Sequence, residues 1–435
     1  MRIAVVGLGK VGLPLAVQFA VSGHQVVGVD IDEHKVAQVN LGQSPVDNEQ
    51  DLDARLLAVT RLGNLEATTH TSDAVAGAEA VVVVVPLVTD SAGVPDFSLI
   101  DGATEAIGRG LRKGTLVSLE TTVPVGTTRK RVKPILEARS GLKTGSDSFL
   151  VFSPERVFTG RIFQDLRSYP KLVGGVDPAS ESKGVWFYGE ALQFDLRQDL
   201  ARSNGVWAMG SSEAAEFAKL AETAHRDVNI ALANQYALIA EQLGIDVWKV
   251  IEACNSQPFS HILRPGIAVG GHCLPVYPEL LLWGSPEISV VRAARAANRE
   301  MPTKVVQRLV DHVGTIRGKK VVVLGLSYRG GVKESAFSGA FSTVQTLRNL
   351  GADVSIHDPL YVEDELKSLG FQPWRRGTTA DYAIVQTDHD EYANWGVEDM
   401  PGVRVVLDGR GILRPHLWAD SEVLVIGKGD ESPWA

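Results

Sequence analysis

The sequence has few cysteines, two in 435 residues. Cys254 and Cys273 cannot build a disulfide framework, and no Cys/His spacing matches a zinc site, so no metal is expected. Long apolar runs are missing too: the longest, AVVVVVPLV at 80–88, has nine residues, whereas a helix crossing a bilayer needs about 20. The opening MRIAVVGLGKVGLPLAV imitates a signal peptide, but glycines interrupt it and a polar stretch continues it. Excess positive charge is absent. A net charge of −9 argues against a broad surface for nucleic acid or an anionic membrane, although an anionic metabolite still fits a local basic pocket. Low-complexity segments and long charge runs do not occur either. What remains, 44% apolar and 22% charged, is an ordinary globular chain, expected in the cytoplasm and long enough for two or three domains.

Valine-rich runs alternate with helix-patterned segments through the first third: RIAVV, QVVGVD, AEAVVVVVP, GTLVSLE and SFLVFSPE. Continuous β-branched runs of this kind fit parallel strands buried on both faces, with crossover helices between them. The expectation is a doubly wound, Rossmann-like α/β domain over residues 1–200. From Ser211 to Gly244 the chain has no proline, its only glycine ends the stretch, and alanine and leucine recur at helical spacing. This predicts one long helix, capped by Ser211 or Ser212 with Glu213 and Glu216 in its first turn, as the spine of a helical middle domain over 201–300. A second α/β pattern opens at Lys319 with KKVVVLGLSYRGG, continues with a helix to about Leu350 and the strand DVSIHDP, and predicts a C-terminal Rossmann-like domain over 301–435.

Two stretches carry chemistry. Residues 3–12, IAVVGLGKVG, place Gly7, Gly9 and Gly12 in GxGxxG after a strand and at a helix start, with Lys10 and Val11 inside the loop. Backbone N–H groups and the helix dipole can hold a pyrophosphate there. QVVGVD ends in Asp30, 18 positions beyond Gly12, where a carboxylate can accept hydrogen bonds from ribose hydroxyls and repel a 2′-phosphate, so NAD is expected over NADP. Pro86, which closes the valine run, and Thr122 are further candidates for contact with the cofactor. The second stretch, GIAVGGHCLPVYP at 266–278, sets Cys273 behind Gly266, Gly270 and Gly271. A lone cysteine is usually a small buried hydrophobe, but glycines of this density suit a loop that presents a thiol.

The fingerprint, ETTVPVGTT (120–128), SPERVFTG (153–160), AKLAETAHRDVNIALANQ (218–235) and GGHCLPVYP (270–278) follow one another in an order that resembles the UDP-glucose/GDP-mannose dehydrogenase family. With VVVLGLSYRGGVKES near the C-terminus, the resemblance covers essentially the whole chain. It implies an NAD-binding domain, a central helical domain used for homodimerisation, and a C-terminal domain that helps hold the nucleotide. It also implies oxidation of C6 of a nucleotide-activated sugar from alcohol to carboxylate with two NAD.

Two hydride transfers at one carbon require an aldehyde to be retained between them, and a thiolate retains it by adding to it. The resemblance gives that role to Cys273 and leaves Cys254 as core. It carries the family's catalytic lysine onto Lys219, suited to stabilising an oxyanion, although a solvated helix lysine is the commoner fate of that residue type. Glu155 of SPER is expected to emerge at a strand's carboxyl end as general base, and Thr122 to position the water, a plain turn threonine being the alternative. Arg156, Arg226, Arg264 and Gly270 are candidates for the sugar and its diphosphate, with Arg329 and Lys333 where family members carry basic residues. The spacer between Arg329 and Lys333 is shorter than the family's. Thr223 and Tyr277 stand where members carry asparagine and aspartate; both keep a hydroxyl and neither supplies a carboxylate. SPERV and RDVNIALAN look closer to members acting on UDP-N-acetylhexosamines than to UDP-glucose enzymes. Competing readings are a two-electron hydroxyacid dehydrogenase, which has no use for the cysteine loop or a third domain, and a nucleotide-sugar binder that has lost its chemistry at Thr223 and Tyr277.

Overall fold

Runs of β-branched residues have both faces covered where they form the middle of a parallel sheet, and this happens twice along the chain. The computed structural model describes residues 1–47, 49–90 and 93–429. The chain packs as two compact units, Met1–Glu222 with Glu279–Gly284, and Thr223–Pro278 with the residues from Ser285 onward. The three parts expected from the sequence differ in the kind of element they contain; by packing there are two units.

The first unit contains β1 (Arg2–Val6), β2 (Gln25–Val29), β3 (Leu65–Thr68), β4 (Ala80–Val83), a short hairpin of β5 (Val88–Thr89) and β6 (Pro95–Asp96), β7 (Leu116–Leu119), β8 (Phe149–Phe152), β9 (Lys171–Gly175) and β10 (Val206–Ala208). Its main sheet has the order β10-β9-β8-β7-β4-β1-β2-β3. Every residue of β4 and β7 is buried. Neighbours are parallel from β3 to β8, as the valine runs imply, but β9 lies antiparallel to β8. The connection between these two holds only a seven-residue helix, Ile162–Ser168, and the chain returns beside β8 without a parallel crossover.

The second unit contains β11 (Lys320–Leu324), β12 (Asp353–His357), β13 (Tyr382–Val385), β14 (Val405–Asp408) and β15 (Glu422–Val425), all parallel in the order β12-β11-β13-β14-β15. The two sheets begin alike at the atomic level, although their sequences do not repeat. Gly7 (φ +100) donates its N–H to Val29 O, and Gly325 (φ +111) donates to His357 O, each at 2.7 Å. Leu8 N–H donates to Asp30 Oδ2 at 2.9 Å, and Leu326 N–H to Asp358 Oδ2 at 2.8 Å. Only glycine adopts such a φ freely at the end of the first strand.

The predicted long helix runs from Ser212 to Gln242, and Ser211 caps it by accepting the Ala214 N–H at 3.1 Å. The unit boundary falls between Glu222 and Thr223. In the second unit a buried polar chain joins this helix to the helix Ser289–Val313: Arg295 and Asn298 donate to Asp227 Oδ1 at 2.7 and 2.9 Å, and Asn234 donates to Asn298 at 2.9 Å. Asn234 also accepts the Gly266 N–H at 2.9 Å, which ties the cysteine loop to the same chain.

Glu216 differs from the exposed dipole partner expected in a first turn. It is fully buried and accepts from the Gly126 N–H, from the Thr128 N–H at 2.8 Å and from the Thr128 hydroxyl at 2.7 Å. Burial pushes its carboxyl up to about 7 in spite of these donors. A carboxyl that ionises less readily folded than unfolded contributes stability that is fully present below about 4.5 and is lost as pH rises through about 7. The difference is on the order of 3 kcal/mol. In urea titrations across this window, Glu216→Gln should flatten the fall in unfolding free energy and lower stability at the acid end, because an amide nitrogen cannot accept these bonds. A pH slope equal to the parent's would mean that Glu216 does not titrate there.

Candidate active site

The glycine loop of the first unit is shaped for a dinucleotide. A Cβ on Gly12 would lie 1.8 Å from Gly7 O, so loop and helix touch there, whereas a Cβ on Gly9 would meet nothing within 4 Å, which leaves an open face. The helix Gly12–Val21 starts at Val11 with no side-chain cap, and the Leu13 N–H turns back to Gly9 O at 3.1 Å. Lys10 is exposed beside it, and Pro86 is exposed beyond β4, the neighbour of β1. Asp30 accepts one backbone N–H on each oxygen, from Leu8 at 2.9 Å and Asp32 at 3.1 Å, and keeps lone pairs for ribose hydroxyls. An open glycine, an uncapped helix start and a held carboxylate together fit NAD.

Farther along the same sheet, three expected residues follow from strand register. β7 and β8 are parallel with Leu119 beside Phe152, so Thr122 and Glu155, each three residues later, leave neighbouring strands at the carboxyl end. Thr122 is buried. Lys219, half-buried on the long helix, donates from Nζ to the Glu155 main-chain oxygen at 2.7 Å. Thr122, Glu155 and Lys219 thus belong to one unit.

The Glu155 carboxylate does not emerge as expected. Its side chain is 10% exposed and turns to the ammonium of Lys171, whose side chain is 4% exposed. Lys171 also stands 3.1 Å from Glu120, which is fully enclosed. Tyr188 donates to Glu120 and lies 2.7 Å from the Ser118 hydroxyl. Two carboxylates and one ammonium in a dry pocket would carry excess negative charge. Burial, with Glu155 adding to it and Lys171 opposing, holds the Glu120 carboxyl well above the usual range, so Glu120 retains the proton. Sequence reading missed Glu120, Lys171 and Tyr188; Glu120 opens the quoted ETTVPVGTT stretch but was given no role, and a lone lysine opening a strand carries no motif, although a lysine at the head of the buried run KLVGG is an unusual choice.

In the second unit, Cys273 is exposed on its loop and Cys254 is half-buried in the last turn of the helix Val247–Asn255, so Cys254 is not the core residue expected. The loop packs on the segment after β11. A Cβ on Gly270 would fall 2.7 Å from Tyr328 Cβ and 3.0 Å from Phe337 O, and Gly271 takes φ +88 while donating its N–H to Ala336 O at 3.0 Å. Close approach, more than freedom, demands glycine at 270. His272 reaches Glu334 at 3.0 Å. Tyr277 opens the helix Tyr277–Gly284, is half-buried, and donates its N–H to Cys273 O at 2.9 Å.

The basic candidates divide. Arg226 and Arg264 are exposed, and Arg226, Arg329 and Cys273 all lie near enough to Tyr328 to act on its phenol, which burial pushes up. Tyr328 was not singled out by the sequence. Arg156 is held by Glu222 at 3.2 Å and Lys333 by Glu365 at 2.6 Å, so neither is held ready for a ligand alone. Thr223 is buried on the long helix.

Comparison with known proteins matches three consecutive models of the UDP-glucose/GDP-mannose dehydrogenase family: the NAD binding domain at residues 1–192, the central domain at 213–300 and the UDP binding domain at 322–415. A UDP-N-acetyl-D-mannosamine dehydrogenase from Pyrococcus horikoshii is 36% identical over 426 residues, which is 95% of this chain and 96% of that protein. An NDP-N-acetyl-D-galactosaminuronic acid dehydrogenase from Ralstonia nicotianae is 31% identical over 94% of this chain and 96% of its own length. Among solved structures, a UDP-D-ManNAc dehydrogenase from Pyrococcus horikoshii superimposes with a TM-score of 0.87 at 33% identity, covering 99% of this chain and 100% of its own.

The loop geometry sets one test of cofactor choice. Asp30→Ala should raise KM for NAD more than KM for NADP, since it removes both a ribose acceptor and a charge that repels phosphate. Equal steady-state kinetics of the unaltered protein with the two cofactors would overturn the assignment.

Proposed function

The chain belongs to the UDP-glucose/GDP-mannose dehydrogenase family and is an NAD-dependent nucleotide-sugar dehydrogenase, and from that premise we propose that it oxidises C6 of UDP-N-acetyl-D-mannosamine to the uronic acid through a cysteine thioester. The observation that carries the mechanism is the exposed thiol of Cys273 on a loop that glycines let pack tightly against its neighbours. The 36% identity to a UDP-N-acetyl-D-mannosamine dehydrogenase supports the sugar.

Bound NAD supplies the hydride acceptor for each of the two oxidations. The Cys273 thiolate adds to the C6 aldehyde; a sulfur–carbon bond forms and the carbonyl π pair moves to oxygen, where the Lys219 ammonium stabilises it. Departure of the C6 hydride leaves a thioester. Glu155 takes a proton from a water positioned by Thr122, the water oxygen bonds to C6, and sulfur leaves as thiolate. One alcohol, two NAD and one water are consumed. Thr223 and the Tyr277 phenol provide hydroxyl donors to the oxyanion where relatives carry asparagine and aspartate. Arg226, Arg264 and Arg329 meet the diphosphate.

The active form is a homodimer in the cytoplasm, organised as NAD-binding, central helical and nucleotide-binding parts. Leu232, Tyr236 and Ile239 are exposed along one face of the long helix, with Leu243 exposed just beyond its end, an apolar stripe suited to a second copy, which sedimentation would test. An exposed free thiol suits a reducing compartment.

NADH formation across UDP, TDP and GDP sugars, with product mass, tests the substrate; preference for a sugar without the N-acetyl group would displace the mannosamine reading. Cys273→Ser should retain one hydride transfer while acid formation collapses, and full acid production by that variant would exclude the thioester. Tyr277→Phe, which removes only the hydroxyl, should lower kcat about 10²-fold at unchanged Tm. Turnover within a few-fold of the parent would remove the phenol from the mechanism.

A further inference from the structure

A lysine that is fully buried between two carboxylates costs desolvation that surface lysines avoid, so its place calls for a reason. Lys171 opens β9, and β9 runs antiparallel to β8 with Val151 beside Gly175 and Phe152 beside Gly174. Carrying that register three residues past Phe152 sets Lys171 opposite Glu155, and the Ser153 hydroxyl, donating to Leu172 O at 2.8 Å, holds the two segments together along the way. The reversal of β9, the one departure from the expected parallel sheet between these strands, is therefore what delivers an ammonium to Glu155.

The groups facing Lys171 come from three further elements: Glu155 after β8, Glu120 after β7, and the ring of Tyr188 on the helix Pro178–Ala191, with Nζ 4.7 Å from the ring centroid. Lys219 approaches Glu155 only at its main-chain oxygen, so Lys171 is the cation that meets the Glu155 carboxylate. Glu120 and Tyr188 complete the enclosure, the phenol donating to Glu120, whose carboxyl burial holds well above the usual range.

We propose that Lys171 is the positioning residue for Glu155, its ammonium holding the carboxylate in one orientation at the end of β8 so that it can accept the proton of the hydrolytic water, with Glu120 and Tyr188 walling the same pocket. This rests on the reading of Glu155 as general base. Lys171 touches neither substrate nor cofactor; it acts through Glu155.

The step it serves is thioester hydrolysis, which comes after both hydride transfers, and this separates a positioning role from a structural one. With UDP-N-acetyl-D-mannosamine and NAD in rapid-mixing experiments, Lys171→Met should give a burst of two NADH per site followed by hydrolysis slowed about 10²-fold, with the sugar adduct on Cys273 visible by mass spectrometry. Lys171→Arg, which keeps a cation, should restore hydrolysis to within a few-fold. If Lys171→Met fails to fold, the Lys171→Met/Glu120→Gln pair removes one carboxyl together with the cation and should show the same burst and the same slow hydrolysis. Glu155→Gln runs in parallel. Slow hydrolysis in Glu155→Gln beside parental hydrolysis in the Lys171 variants overturns the proposal and leaves the base intact. Loss of the burst in every Lys171 variant, arginine included, also overturns it, in favour of a structural ion pair. Parental hydrolysis in Glu155→Gln removes the base reading, and the proposal falls with it.

Discussion

One buried carboxylate organises the first unit's chemistry. Glu216 accepts from Gly126 and Thr128 and so fastens the loop that follows β7 to the first turns of the long helix. That loop carries Thr122, and the next helical turn carries Lys219, whose ammonium meets the main chain of Glu155. Three groups separated widely in sequence are thereby set by two kinds of bond, an acid to backbone donors and an ammonium to a carbonyl. The Glu216 bonds are sheltered from water, a condition in which a hydrogen bond is strong and its loss expensive, and the Lys219 bond is charge-assisted.

The second unit reaches a comparable result by packing. Its cysteine loop is pinned through Gly266 to the polar chain of Asn234, Asn298 and Asp227, and through Gly270 and Gly271 to the segment after β11. A side chain at 270 would strike Tyr328 Cβ and the Phe337 carbonyl oxygen, so the loop's path depends on atoms that are missing. Phe337, in the segment it leans on, holds φ 52, a conformation side chains seldom take. The thiol is presented by a loop with little freedom to move, which suits a nucleophile that must meet a carbon at a defined angle.

Much of this was legible in the sequence. The valine runs, the fingerprint and the long uninterrupted helix have periodicities that local physics dictates, and they appear where expected, Ser211 cap included. Thr122, Glu155 and Lys219 were singled out because they sit in motifs, and strand register brings the first two onto neighbouring strand ends. The misses share a cause. The antiparallel β9 depends on how a short connection folds back, which no local pattern records, and Lys171, Glu120 and Tyr188 gain meaning only through that return. Glu216 looked like a solvated first-turn acid because its partners are some ninety residues away in sequence. Cys254 looked like core because helical spacing does not say where a helix leaves the interior. Tyr328 had no signal beyond its place beside Arg329.

The doubled strand opening puts two equivalent carboxylates to different uses. Asp30 and Asp358 occupy the same position in their sheets, yet Asp358 is buried, accepts from Leu326, Ser327 and Leu360, and is covered by His389 at 3.1 Å. The Asp358 carboxylate is committed to its own loop and to His389, whereas each Asp30 oxygen accepts a single backbone N–H. Of two sheets built on one plan, the second has its carboxylate drawn inward beneath a histidine, while the first leaves its own beside an open glycine loop.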